Sequence, residues 1–344
     1  MLAVKDRARL GLTIMTTQLK DIFGRRLDYL RLSVTDRCNL RCRYCMPEEG
    51  VASLDHGAVL RYEEMLRIAR VACALGVRKI RVTGGEPLVR KGIVDFIAEL
   101  ASLPQRPEIA LTTNGLNLTR LADGLKQAGL SRVNVSLDTL RPERFLMLTR
   151  REGLERVLEG LEAAEQVGLG PIKLNMVPIA GVNDDEIEAF ARLSLDHPWY
   201  VRFIEFMPVS GDLDFGPECR VPVDRIMAAL EKIGPLEEEP RRGPAGPARL
   251  YRYPGAPGGL GVIPAVSSHF CDECNRLRVT ADGKIRPCLF SGEEIDLRAA
   301  LRAGASDEEL AAIFRGAAEA KPDRHHLDES KEGTGRRRMG QIGG

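Results

Sequence analysis

The stretch TDRCNLRCRYCMP places three cysteines, Cys38, Cys42 and Cys45, within eight residues. A structural zinc asks for four closed ligands, and no fourth Cys or His stands near, His56 being eleven residues on. An even number of cysteines could pair as disulfides. The opening MLAVKDRARLGLTIMTTQLKD, however, is broken by charges and lacks a small-residue cleavage site, so it does not read as a signal peptide. A reducing, cytoplasmic setting is therefore expected, where structural disulfides are rare. The spacing Cys-x3-Cys-x2-Cys suits a compact loop around a cubic iron–sulfur cluster. Such clusters normally take four thiolates; three would leave one iron open to a small molecule. The spacing favours a cluster over zinc without excluding zinc.

The eight cysteines are grouped. A second trio, Cys271, Cys274 and Cys288, lies in CDECNRLRVTADGKIRPC, again without a convincing fourth ligand. Here His269 keeps a Cys3His zinc ribbon open as the competing reading. A second incomplete site, in a chain already carrying one, suggests a second open iron facing the same cavity. Cys73, on the apolar face of a helical pattern, reads as core, and Cys219, in the GPECR loop, as a free thiol.

The chain of 344 residues, 44% of them hydrophobic, can bury a large core. Short β-rich segments (LRLSV, KIRVTGG, EIALTTNG, RVNVSLD, IKLNMVP, VRFIEFMP) alternate with amphipathic helical patterns such as Tyr62 to Leu75 and Leu154 to Val167. Repeated βα units argue for an α/β fold with a parallel sheet wrapped by helices. Six strands rather than eight point to an incomplete (β/α)6 TIM-type barrel. TGGEP, TTNG and SLD follow apolar strands and so fall at the carboxyl rim, where barrel sites assemble. Periodicity fades near residue 235, and EEEPRRGPAGPARLYRYPGAPGGLG reads as a linker or irregular crossing. The expected division is an N-terminal extension over 1–17, the partial barrel over 18–235, and a smaller C-terminal cluster-binding domain over 236–344. No apolar run approaches the roughly 20 residues that span a membrane. A formal net charge of +1 does not indicate a bulk nucleic-acid binder.

Charge must therefore act locally. Arg81 and Lys173 interrupt otherwise apolar strands; each could point outward, but two such cations make a binding cavity plausible. Arg276 and Arg278, two apart in NRLR, share one face if that segment is extended. Arginine's planar fork suits phosphate, and no Walker-type glycine loop is present to take that role. Arg41 and Arg43 are expected to face solvent or to soften a cluster's negative charge.

CNLRCRYC, following a first β-strand, resembles the radical S-adenosylmethionine superfamily. The resemblance implies that the open iron chelates S-adenosylmethionine and that an electron splits it to methionine and a 5′-deoxyadenosyl radical. It places Tyr44 near the adenine, Gly85 beside the methionyl amino group, and Ser136 and Met207 at ribose and adenine. With the second trio, RLSVTDRCN, IRVTGGEP, LTTNGL, NVSLD and a terminal Gly-Gly, the chain from Gln18 to Gly344 resembles, more narrowly, the GTP 3′,8-cyclase family.

That resemblance implies two 4Fe-4S clusters and a radical cyclisation of GTP to 3′,8-cyclo-7,8-dihydroguanosine 5′-triphosphate, the first step of molybdenum cofactor biosynthesis. It further implies a reducing electron donor and a product passed to a downstream cyclic pyranopterin monophosphate synthase. GTP contacts then fall on Arg31, Arg81, Thr112, Lys173, Arg276, Leu277 and Arg278, with Lys79 a further candidate. Catalytic roles fall on Arg31, Arg276, Arg278, Gly343 and Gly344. On composition alone MGQIGG is a frayed, solvated end; the resemblance instead sends the diglycine into the active site. The first fourteen residues fall outside the resemblance, and Met15 is an alternative start. Three rival readings stand beside this one. A peptide-modifying radical enzyme would carry more C-terminal cysteines, a two-cluster electron carrier would not need so long a scaffold, and a zinc-ribbon binding protein would contain zinc in place of iron and sulfide. Monomer and homodimer are both open.

Overall fold

A computed structural model describes residues 18–52, 54–207, 214–240, 246–325 and 337–343. The extension over 1–17 and the candidate Gly344 lie outside the described residues. Among these residues twelve strands form one sheet: β1 (Tyr29–Ser33), β2 (Lys79–Thr83), β3 (Glu108–Thr113), β4 (Arg132–Ser136), β5 (Lys173–Met176), β6 (Tyr200–Ile204), β7 (Glu237–Glu239), β8 (Arg249–Arg252), β9 (Gly259–Ile263), β10 (Arg276–Val279), β11 (Lys284–Arg286) and β12 (Ile295–Asp296). The helices are α1 (Tyr62–Ala74), α2 (Ile93–Ala101), α3 (Leu118–Gln127), α4 (Pro142–Thr149), α5 (Leu154–Gln166), α6 (Ile187–Asp196), α7 (Val223–Glu231), α8 (Leu297–Arg302), α9 (Asp307–Glu319) and α10 (Met339–Ile342).

The expected β1 to β6 are all present and lie in chain order, each parallel to the next. Residues after 235 extend this sheet on both flanks. β9 runs parallel to β6, and β10 parallel to β1, so the parallel core holds eight strands rather than six. Antiparallel β8 and β7 continue beyond β9, and β11 and β12 beyond β10. The sheet stays open, with β12 and β7 as its edges, as in a partial TIM-type barrel. The Pro- and Gly-rich stretch after residue 236 is thus strand and turn in its described part. Pro240, Pro247 and Pro254 stand between strands too short to show a period.

The strands alternate with period two. Leu30, Leu32, Ile80, Val82, Leu111, Val133, Val135, Leu174, Val201 and Phe203 turn towards the helices and are fully buried. Burying each contributes on the order of 1.5–3 kcal/mol, so this face carries the stability. The intervening positions, among them Arg31, Arg81, Thr112, Asn134, Lys173 and Arg202, turn into the concave side and line a cavity. Parallel strands buried on both faces read as continuous apolar runs. These do not, because the inner face borders that cavity.

Candidate active site

The loop after β1 carries the first trio and is pinned by its own backbone. Arg41 and Arg43 donate their N–H groups at 2.9 Å to the carbonyls of Thr149 and Leu148, at the end of α4. Arg41 Nη1 donates to the carbonyls of Cys38 and Leu40 at 2.7 and 2.9 Å, and Arg43 Nε to Asp214 Oδ2 at 2.7 Å. The two arginines flanking Cys42 therefore clamp the loop, a more specific task than the expected contact with solvent or with cluster charge.

The Gly-Gly turn after β2 presses on the same loop. A Cβ on Gly84 would stand 2.7 Å from the Thr35 carbonyl oxygen, and one on Gly85 would stand 2.5 Å from that of Arg37. No side chain fits. Gly85 is accordingly packed against the cysteine loop and is not among the residues lining the cavity. Glu86, next in sequence, is fully buried, and burial pushes its carboxyl up to about 7, although Leu88 N, Asn114 N and Thr113 Oγ1 donate to it at 2.9, 2.7 and 2.8 Å. Asn114 in turn donates to Asn39 Oδ1 at 2.8 Å, beside Cys38.

Burial pushes the Cys38 thiol up to about 12, the Cys42 thiol well above its ordinary range, and the Cys45 thiol upward. Left to the protein alone, all three stay protonated; bound iron would favour their thiolates. Among the described residues no three His, Cys, Asp or Glu side chains converge where a single metal ion would sit. A cubane does not require that, since each thiolate takes a different iron. In the second trio burial raises the Cys271 thiol. Burial would also raise that of Cys274, but the charges of Arg276 and Lys321, with hydrogen bonds from Arg276, bring it down to about 6. Lys321 is itself buried, its ammonium donating to the carbonyls of Arg276 and Pro287 at 3.0 and 2.8 Å. Both donor sets fit iron–sulfur clusters of three protein ligands.

The cavity has a volume of about 670 Å³, within the range of small-molecule sites. Cys271, Cys274 and Cys288 are on its wall; at the first trio's end the wall residues are Tyr44 and Met339. Among the described residues ten basic side chains and two acidic ones line it. Some cations are partnered: Arg132 and Lys79 pair with Glu108, Arg252 with Glu239, and Arg81 donates to the Tyr29 and Thr112 hydroxyls. Burial and the neighbouring cations hold Arg31 down at about 10 and Arg202 at about 9. Lys173 is brought to about 6, and Arg278 well below its usual range. Burial would raise the Tyr29 phenol, yet Arg81, Arg31 and Lys79 draw it to about 7. This wall is built to receive several negative charges.

At Tyr44 the wall changes character. The Tyr44 hydroxyl donates to Asp138 Oδ2, while Val177 N donates to Asp138 Oδ1 at 2.8 Å. Burial lifts the Asp138 carboxyl to about 6. Ser136 and Met207 line the cavity with this pair.

The tail is not frayed over its described residues. Ile342 is 1% exposed, and the Gly343 carbonyl accepts from Arg278 Nη1 at 2.9 Å and from Arg31 Nη2 at 3.5 Å. Gly343 has φ +84°, and a Cβ there would stand 2.7 Å from Thr83 Oγ1.

Of the residues singled out in the sequence, Arg31, Tyr44, Arg81, Thr112, Ser136, Lys173, Met207, Arg276 and Arg278 share the cavity wall, with Lys79 among them. Leu277 does not. It alternates with its two arginine neighbours and is 1% exposed in the core, so its side chain faces away. Sequence reasoning missed Arg132, Asn134, Asn175 and Arg202, which occupy inward strand positions, and also Asp138 and Lys321.

Two family models divide the chain: the Radical SAM superfamily over residues 32–194, and Molybdenum Cofactor Synthesis C over 199–327. The chain is 53% identical over 326 residues to the GTP 3′,8-cyclase of Heliobacterium modesticaldum, covering 94% of this chain and 99% of that one. The chain belongs to the GTP 3′,8-cyclase family. The family's enzyme from Pelotomaculum thermopropionicum is 51% identical, with 95% of this chain and all of that one covered. Among solved structures, Streptococcus suis SuiB bound to S-adenosylmethionine shares the fold with a TM-score of 0.60 at 16% identity, over 83% of this chain and 67% of that one. In this member of the GTP 3′,8-cyclase family the first model ends in the last turn of α6 and the second begins just before β6. No helix among the described residues is long and apolar enough to cross a membrane.

Proposed function

We propose that this chain is a GTP 3′,8-cyclase, converting GTP to 3′,8-cyclo-7,8-dihydroguanosine 5′-triphosphate with S-adenosylmethionine and two 4Fe-4S clusters, the first step of molybdenum cofactor biosynthesis. One observation carries the reading: a cavity lined, among the described residues, by ten basic side chains, in a chain of net charge +1, with a cysteine trio on its wall. Cys38, Cys42 and Cys45 would hold one cluster, and Cys271, Cys274 and Cys288 the other. When bound, the first cluster and S-adenosylmethionine supply a 5′-deoxyadenosyl radical, chemistry beyond any side chain.

The chain's own share is binding, orientation and exclusion of water. Lys79, Arg81, Lys173 and Arg202 face one another across the strands and would take the triphosphate, the arginines as bidentate partners. Tyr44, fixed by Asp138, would seat the adenosyl group with Ser136 and Met207. Arg31 and Arg278, joined through the Gly343 carbonyl, would hold the tail against the substrate between the two clusters. A one-electron donor and transfer of product to a cyclic pyranopterin monophosphate synthase belong to the same proposal.

The test is anaerobic reconstitution with iron and sulfide, followed by incubation with GTP, S-adenosylmethionine and dithionite. Cyclised nucleotide and 5′-deoxyadenosine are expected. Unchanged GTP in protein carrying both clusters would overturn the reading.

A further inference from the structure

Outside the cavity wall, one charge network joins the start of the tail to the turn and loop around β11. Arg337 stands two residues before α10. Its Nη1 and Nη2 donate to Asp282 Oδ1 and Oδ2 at 2.9 and 2.8 Å, and Nη2 also donates to Glu294 Oε2 at 2.9 Å. Its Nε lies 2.7 Å from Glu294 Oε1. All three guanidinium nitrogens therefore face carboxylate oxygens, the geometry in which arginine pairs most strongly.

The two carboxylates come from separate places in the second trio's neighbourhood. Asp282 sits in the turn between β10 and β11, where Thr280 Oγ1 also donates to it at 2.6 Å. Glu294 immediately precedes β12 and accepts a second hydrogen bond from Arg286 Nη1. Arg286, only 2% exposed, donates in addition to the carbonyls of Leu289 and Ser291, in the loop that follows Cys288. Glu294 is thus shared between the arginine that shapes the Cys288 loop and the arginine that leads the tail.

We propose that Asp282 and Glu294 form a socket that seats the C-terminal tail by capturing Arg337, and that the seat is complete only when the Cys288 loop is in place. Both acids act as positioning residues, reaching the site through Arg337 and α10. The functional half of this inference rests on reading Gly343 as part of the site.

The test uses full-length, anaerobically reconstituted protein. It reads hydrogen–deuterium exchange of the α10 peptide and, separately, the ratio of cyclised nucleotide to 5′-deoxyadenosine. Arg337→Gln, which removes no core side chain, and Glu294→Gln should each speed α10 exchange about tenfold, the loss of a charge-assisted pair. Asp282→Asn should do the same, and the double variant Asp282→Asn/Arg337→Gln should exchange no faster than Arg337→Gln alone, because the two changes remove one interaction. Arg337→Lys keeps the charge without the fork and should fall between. Unchanged exchange in Arg337→Gln, or additive effects in the double variant, would overturn the socket. Faster exchange with an unchanged product ratio would support the socket and overturn the role given to Gly343. Should Asp282→Asn fail to retain iron, Arg337→Gln and Glu294→Gln decide the question.

Discussion

Lys173 sits among cations on the inner face of β5 and has no ion-pair partner among the described residues. Burial, then Arg202, Arg132, Lys79 and Arg81, bring its ammonium down to about 6, so above that pH the empty site holds it largely neutral. A bound triphosphate favours the charged form and raises that value again. Binding should therefore take up a proton at pH 7.5, and GTP affinity should fall as pH rises from about 6 towards the bound value, while staying flat below it. Calorimetry in buffers of different ionisation enthalpy would register the uptake, and Lys173→Met should abolish it. A second expectation concerns Asp138: Asp138→Asn should raise the KM for S-adenosylmethionine roughly tenfold, through a weakened hold on the Tyr44 hydroxyl, and leave that for GTP nearly unchanged. Steady-state kinetics with each substrate varied would show the split. Legibility at this scale was uneven. Arg81 and Lys173 stand out as charges inside apolar strands, but Arg202 in VRFIEF and Asn134 in RVNVS carry the same alternation without declaring their side, because one polar residue in a strand is as easily an outward one. Asp138 shares the inward face with Ser136, two residues earlier, yet a lone Asp after a strand looks like a turn.

Elements were most legible where they were long and periodic. The pattern from Tyr62 to Leu75 became α1 and that from Leu154 to Val167 became α5, each within a residue. The Gly-Gly turn was legible as a close approach, but its partner was not: the nearest atoms are backbone oxygens of the cysteine loop, which no local pattern could name. Those oxygens cannot yield as a side chain would. Gly85→Ala should cost about 1–3 kcal/mol through displacement of the loop, with Gly84→Ala following it. Iron analysis should then show the first cluster depleted while the second is retained. The tail was the least legible element. MGQIGG offers one large aliphatic residue and no period, and what folds it is Ile342 entering the core together with ion pairs to residues far away in the chain. Deleting Gly343 and Gly344 should leave S-adenosylmethionine cleavage in place and remove cyclised nucleotide, as chromatography of both products would reveal.

At the scale of the whole molecule, strand order is the property least visible in local patterns. Six βα units could be counted along the first part of the chain, but nothing near Tyr29 says that it will lie opposite Arg276, and nothing near Tyr200 that it will lie opposite Gly259. Those two pairings place the C-terminal segment on both flanks of β1 to β6, where it supplies Arg276, Arg278 and the second trio to a cavity whose other wall comes from the first part. A chain ending at residue 235 would lose both neighbours at once, baring the backbone donors and acceptors of β1 and β6 along strands whose helix-facing side chains are apolar. Such edges pair with other chains. The truncated protein should therefore aggregate, and coexpression of residues 236–344 should return it to solution as a complex, both measurable by sedimentation velocity. A soluble, monodisperse product that binds the first cluster by itself would mean instead that β1 to β6 and their helices are self-sufficient, with the later strands added to a finished unit.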